Sequence, residues 1–205
     1  MFPSHDPLQL TTASNHLDLY IGIYKPCRKK WRKMSKNFML VRDKIFSEKE
    51  CKNIINSYNK KCIKGEKPHL GYNFYDIETF EHINKIRPVV EEYKKKFKEI
   101  ELTASKWKLG YFRFKHFKPG KNFNLWHSEH SISHCTRVLN VQLYLSDHNC
   151  GTQFLNHKTI KSVIGRVAIF PCYFTHTHKG QVCPENKDRY LITAYANFYD
   201  EGPLE

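Results

Sequence analysis

The densest run of chemically capable side chains is Trp126-His127-Ser128-Glu129-His130. In an extended segment the side chains at i and i+2 share a side, so His127 and Glu129 can chelate one ion while Ser128 points away. Two imidazoles and a carboxylate on one face of an octahedron leave the opposite positions open, which suits iron(II) that must bind an oxidant and a second ligand together. The second imidazole has to come from elsewhere. Phe170-Pro171-Cys172-Tyr173-Phe174-Thr175-His176-Thr177-His178-Lys179-Gly180 offers two, His176 and His178. Further on, Arg189-Tyr190-Leu191-Ile192-Thr193-Ala194-Tyr195 alternates so that Arg189, Leu191, Thr193 and Tyr195 share a face. A guanidinium can grip a carboxylate with two parallel hydrogen bonds and a nearby hydroxyl can add a third. Plainer readings compete: most of the twelve histidines sit on surfaces, Arg189 pairs with Asp188 or Glu185, and Tyr144 is a packed strand aromatic. A zinc-hydrolase helix is disfavoured, because Ser131-Ile132-Ser133 forms helix poorly and neither His-Glu-x-x-His nor His-x-x-Glu-His occurs.

These residues need a scaffold, and the chain supplies helices first and strands afterwards. Phe38-Met39-Leu40-Val41 reads as a short strand. Ser47 stands three residues before Glu50, the capping-box spacing, and Cys51, Ile54, Ile55 and Tyr58 then mark one face of a helix. Lys64-Gly65-Glu66-Lys67-Pro68 breaks the pattern. A second helix is expected from about Glu78 to Ile100, with Ile83, Ile86, Val90, Tyr93 and Phe97 inward and a kink or division at Pro88. Beyond Ser105 the period becomes two. Trp107, Leu109 and Tyr111 alternate, and Phe112, Phe114 and His116 continue after a slip of one residue that marks a bulge. Lys118-Pro119-Gly120-Lys121 is a turn, and further strands are expected at 137–145, 152–156, 166–170 and 189–198. Asn140, Gln142 and Tyr144 would share one strand face. This order predicts an α+β domain with a jelly-roll or β-sandwich core.

The 205 residues suffice for one buried core, at 40% apolar and 14% aromatic content. No run of 18 apolar residues is present, and the opening Met1-Phe2-Pro3-Ser4-His5-Asp6 lacks a secretory pattern, so a soluble cytoplasmic protein is expected. The seven cysteines form no Cys-x-x-Cys and read as reduced thiols. A formal charge of +14 attracts polyanions or acidic proteins, but it is mostly lysine spread along the chain. Residues 1–36 read as a basic extension ending in Lys25, Arg28, Lys29, Lys30, Arg32, Lys33 and Lys36 around Trp31, and residues 37–205 as the globular domain.

Taken in order, several pieces resemble the iron(II)/2-oxoglutarate dioxygenase superfamily, and within it the prolyl 4-hydroxylase-like branch. They are Phe117-Lys118-Pro119-Gly120, Trp126-His127-Ser128-Glu129, Leu143-Tyr144-Leu145-Ser146-Asp147, Cys150-Gly151-Thr152-Gln153-Phe154, Gly165-Arg166-Val167-Ala168-Ile169-Phe170-Pro171, His178-Lys179-Gly180 and Arg189-Tyr190-Leu191-Ile192-Thr193. The sequence is similar, too, to the short stand-alone oxygenases of large bacteriophages. The resemblance implies a double-stranded β-helix (cupin-like) core with N-terminal packing helices, and His127, Glu129 and a distal histidine as ligands to Fe(II). It selects His178 over His176 because a residue and then glycine follow, leaving His176, Gln142, Asn140 and Trp126 around the ligands. It implies Arg189, Tyr144 and Thr193 as the residues that bind 2-oxoglutarate, with O2 as oxidant and ascorbate as auxiliary reductant. The expected activity is hydroxylation of an unactivated C–H bond, foremost a prolyl residue in a protein or peptide. Free amino acids, small metabolites and nucleic acid are alternatives, as is a non-catalytic β-sandwich binding module with a degenerate metal site. AlkB-like enzymes would carry a second arginine six residues after Arg189, where Tyr195 stands. Two departures stand out: Glu129 replaces the usual aspartate, and Phe117 replaces a usual pocket tyrosine.

Overall fold

The structure is a computed structural model describing residues 36–62, 71–103 and 105–199. The basic cluster expected within residues 1–36 lies, apart from Lys36, outside the described residues. In chain order the elements are β1 (Leu40–Arg42), α1 (Glu48–Asn59), β2 (Asn73–Ile77), α2 (Ile83–Lys96), β3 (Trp107–Phe117), β4 (Arg137–Tyr144), β5 (Gly151–Phe154), β6 (Ile160–Lys161), β7 (Val167–Pro171), β8 (His178–Gly180) and β9 (Arg189–Phe198). One six-stranded sheet has the order β1-β7-β4-β9-β3-β2 and a smaller one the order β6-β5-β8, with antiparallel pairing throughout.

Alternation along the long strands sorts side chains into two cores. One face of the large sheet meets the helices: Phe112, Phe114, Val141, Leu143, Ile192 and Ala194 pack with Cys51, Ile54, Ile86, Val90 and Tyr93. The opposite face closes on the small sheet, where Phe117, Tyr144, Phe170 and Leu191 meet Phe154 and Ile160. The expected α+β class and β-helix core are thus present, with a filled interior between two sheets. Phe114 is fully buried, and truncating such a ring to alanine typically costs about 3–5 kcal/mol.

Helix α1 begins as its sequence dictates. Glu50 N donates to Ser47 Oγ at 3.3 Å while Ser47 N donates to Glu50 Oε2 at 2.8 Å, satisfying two amides left over at the helix start. Helix α2 is shorter than expected at both ends. Residues 78–82 turn so that Phe80 is buried and stacks on Phe112, 5.0 Å between ring centroids. At the other end Phe97 leaves helical geometry and packs on Tyr93 and Phe38, at 4.8 and 5.3 Å. Pro88 lies within the helix without dividing it. Tertiary burial of two phenylalanines outweighs the helical pattern there.

Two register shifts set which side chains face the interior. In β3, Gly110 pairs with Tyr195 and Phe112 with Ala194, which leaves Tyr111 as the extra residue, at φ 50°. Trp107 and Leu109 before it, and Phe112 and Phe114 after it, therefore share the helix-facing side despite opposite parity. In β4 the shift falls between Arg137 and Leu139. It allows Arg137 and Asn140, three positions apart, to reach the same carboxylate. Strands β2, β6 and β8 were not legible as strands in the sequence; all three are short.

Candidate metal centre

His127, Glu129 and His178 converge. Rather than lying in a regular strand, His127 forms an isolated antiparallel bridge with His178, the first residue of β8. His127 N donates to His178 O at 3.0 Å, and His178 N donates to His127 O at 2.9 Å. The i, i+2 relation that aims His127 and Glu129 together survives, because Glu129 N is held by Cys172 O at 3.0 Å. Glu129 Oε1 stands 3.7 Å from Nε2 of each histidine.

Each imidazole is oriented by its other nitrogen. His127 Nδ1 lies 2.9 Å from Leu125 O and His178 Nδ1 lies 2.9 Å from His176 O, contacts that only an N–H can satisfy. In their neutral form both rings therefore turn an Nε2 lone pair toward Glu129 Oε1. Three electron-pair donors with no proton between them repel one another unless a cation sits at their centre. Their separations are somewhat wider than the roughly 3 Å of adjacent ligands about 2.1 Å from an octahedral ion, a small contraction away. The donor set fits a divalent transition metal.

Glu129 is itself clamped. Its Oε2 accepts from Tyr195 Oη at 3.0 Å and from Arg137 Nη1 at 3.2 Å, and its Oε1 accepts from Asn140 Nδ2 at 2.9 Å. Burial favours the neutral carboxyl, but positive charge facing it, from the His127 and His178 rings when they carry a proton and from Lys115, outweighs burial and holds Glu129 well below the usual carboxylate range; a bound cation would take the place of that proton. The Arg137 guanidinium also lies over the Tyr195 ring, 3.8 Å from its centroid. The extra methylene of a glutamate is thus met by two side chains that fix one oxygen and leave the other toward the histidines.

The interior between the sheets holds a second polar group. Arg189, the first residue of β9, is 4% exposed, and among the described residues it has no carboxylate partner. Its Nη2 donates to Asn122 Oδ1 at 2.6 Å and its guanidinium stacks on Phe117, 4.3 Å from the ring centroid. Among the described residues, Arg189 Nε, Asn122 Nδ2 and Thr193 Oγ1 are buried without hydrogen-bond partners. Unpartnered donors on Arg189 and on the Asn122 it contacts, with no carboxylate near the guanidinium among the described residues, match an anion with several acceptor atoms, such as a carboxylate. Burial lowers the Arg189 pKa to about 10, still charged at neutral pH. Tyr144, 1% exposed, forms a ring of contacts with Gln142 Oε1 and Thr152 Oγ1 at 2.8 Å each, and burial raises its pKa to about 12.

The remaining expected residues fall elsewhere. The His176 side chain faces away from the trio, with Nε2 2.8 Å from Asn37 O and its ring stacked on His157 at 4.6 Å; only its carbonyl serves His178. Trp126 is 44% exposed, with Lys179 Nζ 4.9 Å from its ring centroid. Gln142 bonds Tyr144 and Thr152, while Asn140 does reach Glu129. Reading the sequence missed Arg137, Asn122 and the part Tyr195 plays. The β4 shift hid Arg137, and Asn122 sits in a loop with no periodicity. Only the structure brings Asn122 to Gly180, where a Cβ would overlap its carboxamide. The expectation of wholly reduced thiols is corrected as well: Cys150 and Cys183 are joined as a disulfide, Cα atoms 5.0 Å apart, bridging the ends of β5 and the loop after β8. Among the described residues Cys51, Cys62, Cys135 and Cys172 are free, and no helix is long and apolar enough to cross a membrane.

The fold is the double-stranded β-helix of the 2-oxoglutarate/iron(II) oxygenases. A viral collagen prolyl hydroxylase from Paramecium bursaria Chlorella virus-1, solved with 2-oxoglutarate, matches with a TM-score of 0.61 at 19% identity, over 78% of this chain and 96% of its own. A prolyl hydroxylase from Trichoplax adhaerens, in complex with a hypoxia-inducible factor peptide, matches with a TM-score of 0.60 at 14% identity, over 79% and 84%. HygX from Streptomyces hygroscopicus, holding nickel and 2-oxoglutarate, matches with a TM-score of 0.54 at 10% identity, over 78% and 83%. No family model matches the sequence, and no curated protein is significantly similar to it.

Proposed function

We propose that the protein is an iron(II)- and 2-oxoglutarate-dependent oxygenase that hydroxylates a C–H bond, with a prolyl residue of a protein or peptide as substrate. The observation that carries this reading is the pairing of two features: the convergence of His127, Glu129 and His178 on one point, and a buried Arg189 that has no carboxylate partner among the described residues. His127, Glu129 and His178 would hold the iron, and Arg189, with Asn122 and with Thr193 and Tyr144, would receive the distal carboxylate of 2-oxoglutarate. Iron with 2-oxoglutarate and O2 supplies the oxidising chemistry, in which R–H becomes R–OH as 2-oxoglutarate becomes succinate and carbon dioxide.

The chain's own residues provide ligation, orientation and exclusion of water. Arg137 and Tyr195 keep Glu129 directed, the carbonyls of Leu125 and His176 set the imidazole tautomers, and Phe154 and Phe170 pack on His178 at 5.5 and 5.1 Å. Support for a peptide substrate comes from the similarity to prolyl hydroxylases and from exposed Leu125 and Trp126 directly before His127. The test is succinate formation that needs iron and 2-oxoglutarate together and rises with a proline-containing peptide, which gains one oxygen at proline by mass spectrometry. Turnover that is absent in protein shown to hold iron would overturn the reading. An oxygen gained at a residue other than proline would overturn the substrate assignment alone.

A further inference from the structure

A second ligand cluster lies away from His127, Glu129 and His178, where β4 and β5 connect and β8 runs on toward β9. It is written in the sequence as two legs of matching spacing, His148-Asn149-Cys150 and Cys183-Pro184-Glu185. The His148 nitrogen, the Cys183 sulfur and a Glu185 oxygen all lie within 4.8 Å of one another, and Cys150 is bonded to Cys183. The His148 side chain is fully buried. Its Nε2 lies 3.1 Å from Asp188 O, which fixes the proton there and turns the Nδ1 lone pair toward Glu185 Oε2, 3.6 Å away. Among the described residues, neither Nδ1 nor Oε2, both buried, has a hydrogen-bond partner. The other carboxylate oxygen is tied down, accepting from Asn149 N at 2.6 Å. An imidazole whose far nitrogen donates to a carbonyl, facing an oriented carboxylate and the Cys183 sulfur, supplies three ligands of a soft-metal site, and the Cys150 sulfur bonded to Cys183 is the available fourth.

We propose that, once Cys150 and Cys183 are reduced, His148, Cys150, Cys183 and Glu185 bind one Zn2+ or a similar soft divalent ion. The disulfide and the metal complex are alternative states of the same sulfurs. A phosphine and water reduce the disulfide to two thiols, the phosphine becoming its oxide; Zn2+ then displaces the two thiol protons and is held by two thiolates. Either state fastens the segment between His178 on β8 and Arg189 on β9, the two strands that carry the oxygenase site.

The experiment uses the full chain, stripped of metal, reduced with a phosphine and titrated anaerobically with Co2+. Thiol titration first establishes that Cys150 and Cys183 are free. A near-ultraviolet thiolate-to-cobalt band reports sulfur ligation, which the His127-Glu129-His178 site cannot produce. The expected result is a band that saturates at one equivalent in His127→Ala, where the first site is removed, and by two equivalents in the wild type. It disappears in Cys183→Ser and is absent from reoxidised protein. Glu185→Gln, which leaves both sulfurs intact, should weaken binding roughly tenfold or more. No band in the reduced protein, an unchanged band in Cys183→Ser, or unaltered affinity in Glu185→Gln would each overturn the proposal. Because His127→Ala removes the first site, failure here and failure of the oxygenase reading are read separately.

Discussion

Replacing Arg189 by methionine, which keeps much of the side chain's volume and removes its charge, should separate binding from folding. In the ligand-free protein this guanidinium is 4% exposed, pairs with a neutral Asn122 and leaves Nε unpartnered. Burial lowers its pKa to about 10 from the ordinary 12.5, so the folded state carries a cost on the order of 3 kcal/mol for keeping it charged. The sign follows from proton uptake. A cation whose folded pKa lies below its unfolded value destabilises the fold at every pH below about 10, and that cost fades only as pH rises through the interval up to 12.5. Arg189→Met should therefore leave the ligand-free melting temperature unchanged or higher. The bound state behaves oppositely. A carboxylate would receive two charge-assisted hydrogen bonds, each worth about 1.5–3 kcal/mol, so losing both weakens 2-oxoglutarate binding by about 3–6 kcal/mol, beyond a hundredfold. Calorimetric titration of 2-oxoglutarate into the metal-loaded protein, with thermal unfolding of the same samples, reads both quantities. A variant that melts well below the wild type while retaining 2-oxoglutarate affinity would show that Arg189 is a structural residue, and the reasoning would fail.

Other expectations rest on single contacts. Tyr195→Phe removes one hydrogen bond from Glu129 Oε2 and should weaken iron affinity about 10–100-fold, as measured by competition with a chelator, with little change in stability. Arg137→Met should have the larger effect of the two, because it removes a charge from the same oxygen. Gly180→Ala places a Cβ against the Asn122 carboxamide and should raise the KM for 2-oxoglutarate more than it lowers kcat, which steady-state succinate assays will separate. Ser47→Ala removes the α1 capping box and should cost about 1 kcal/mol in denaturant unfolding without altering turnover.

The ordered strand pieces, the capping box and the bulge after Leu109 were legible because each is a local pattern whose physics is local. So was the i, i+2 aim of His127 and Glu129, which depends only on extended backbone. Arg137 was not legible, because alternation assigns it to the face opposite Asn140 and only the β4 register shift reverses that. The ends of α2 were misread because burial of Phe80 and Phe97, a long-range effect, overrides a helical period that continues through them. The Cys150–Cys183 link joins residues 33 apart in sequence, and nothing in their spacing announces it. Histidine placement was decided by backbone bridging. The His127–His178 bridge brings one imidazole to Glu129, whereas the single helical turn at Phe174–His176 turns the other toward Asn37.

The central claim is most directly tested by anaerobic absorption spectroscopy of the protein mixed with Fe(II) and 2-oxoglutarate. Chelation of iron by the 2-oxo acid gives a visible metal-to-ligand charge-transfer band. The account predicts this band in the wild type and in His176→Ala, and its loss in His127→Ala and His178→Ala. A band that survives in His178→Ala, or one that depends on His176 instead, would contradict it.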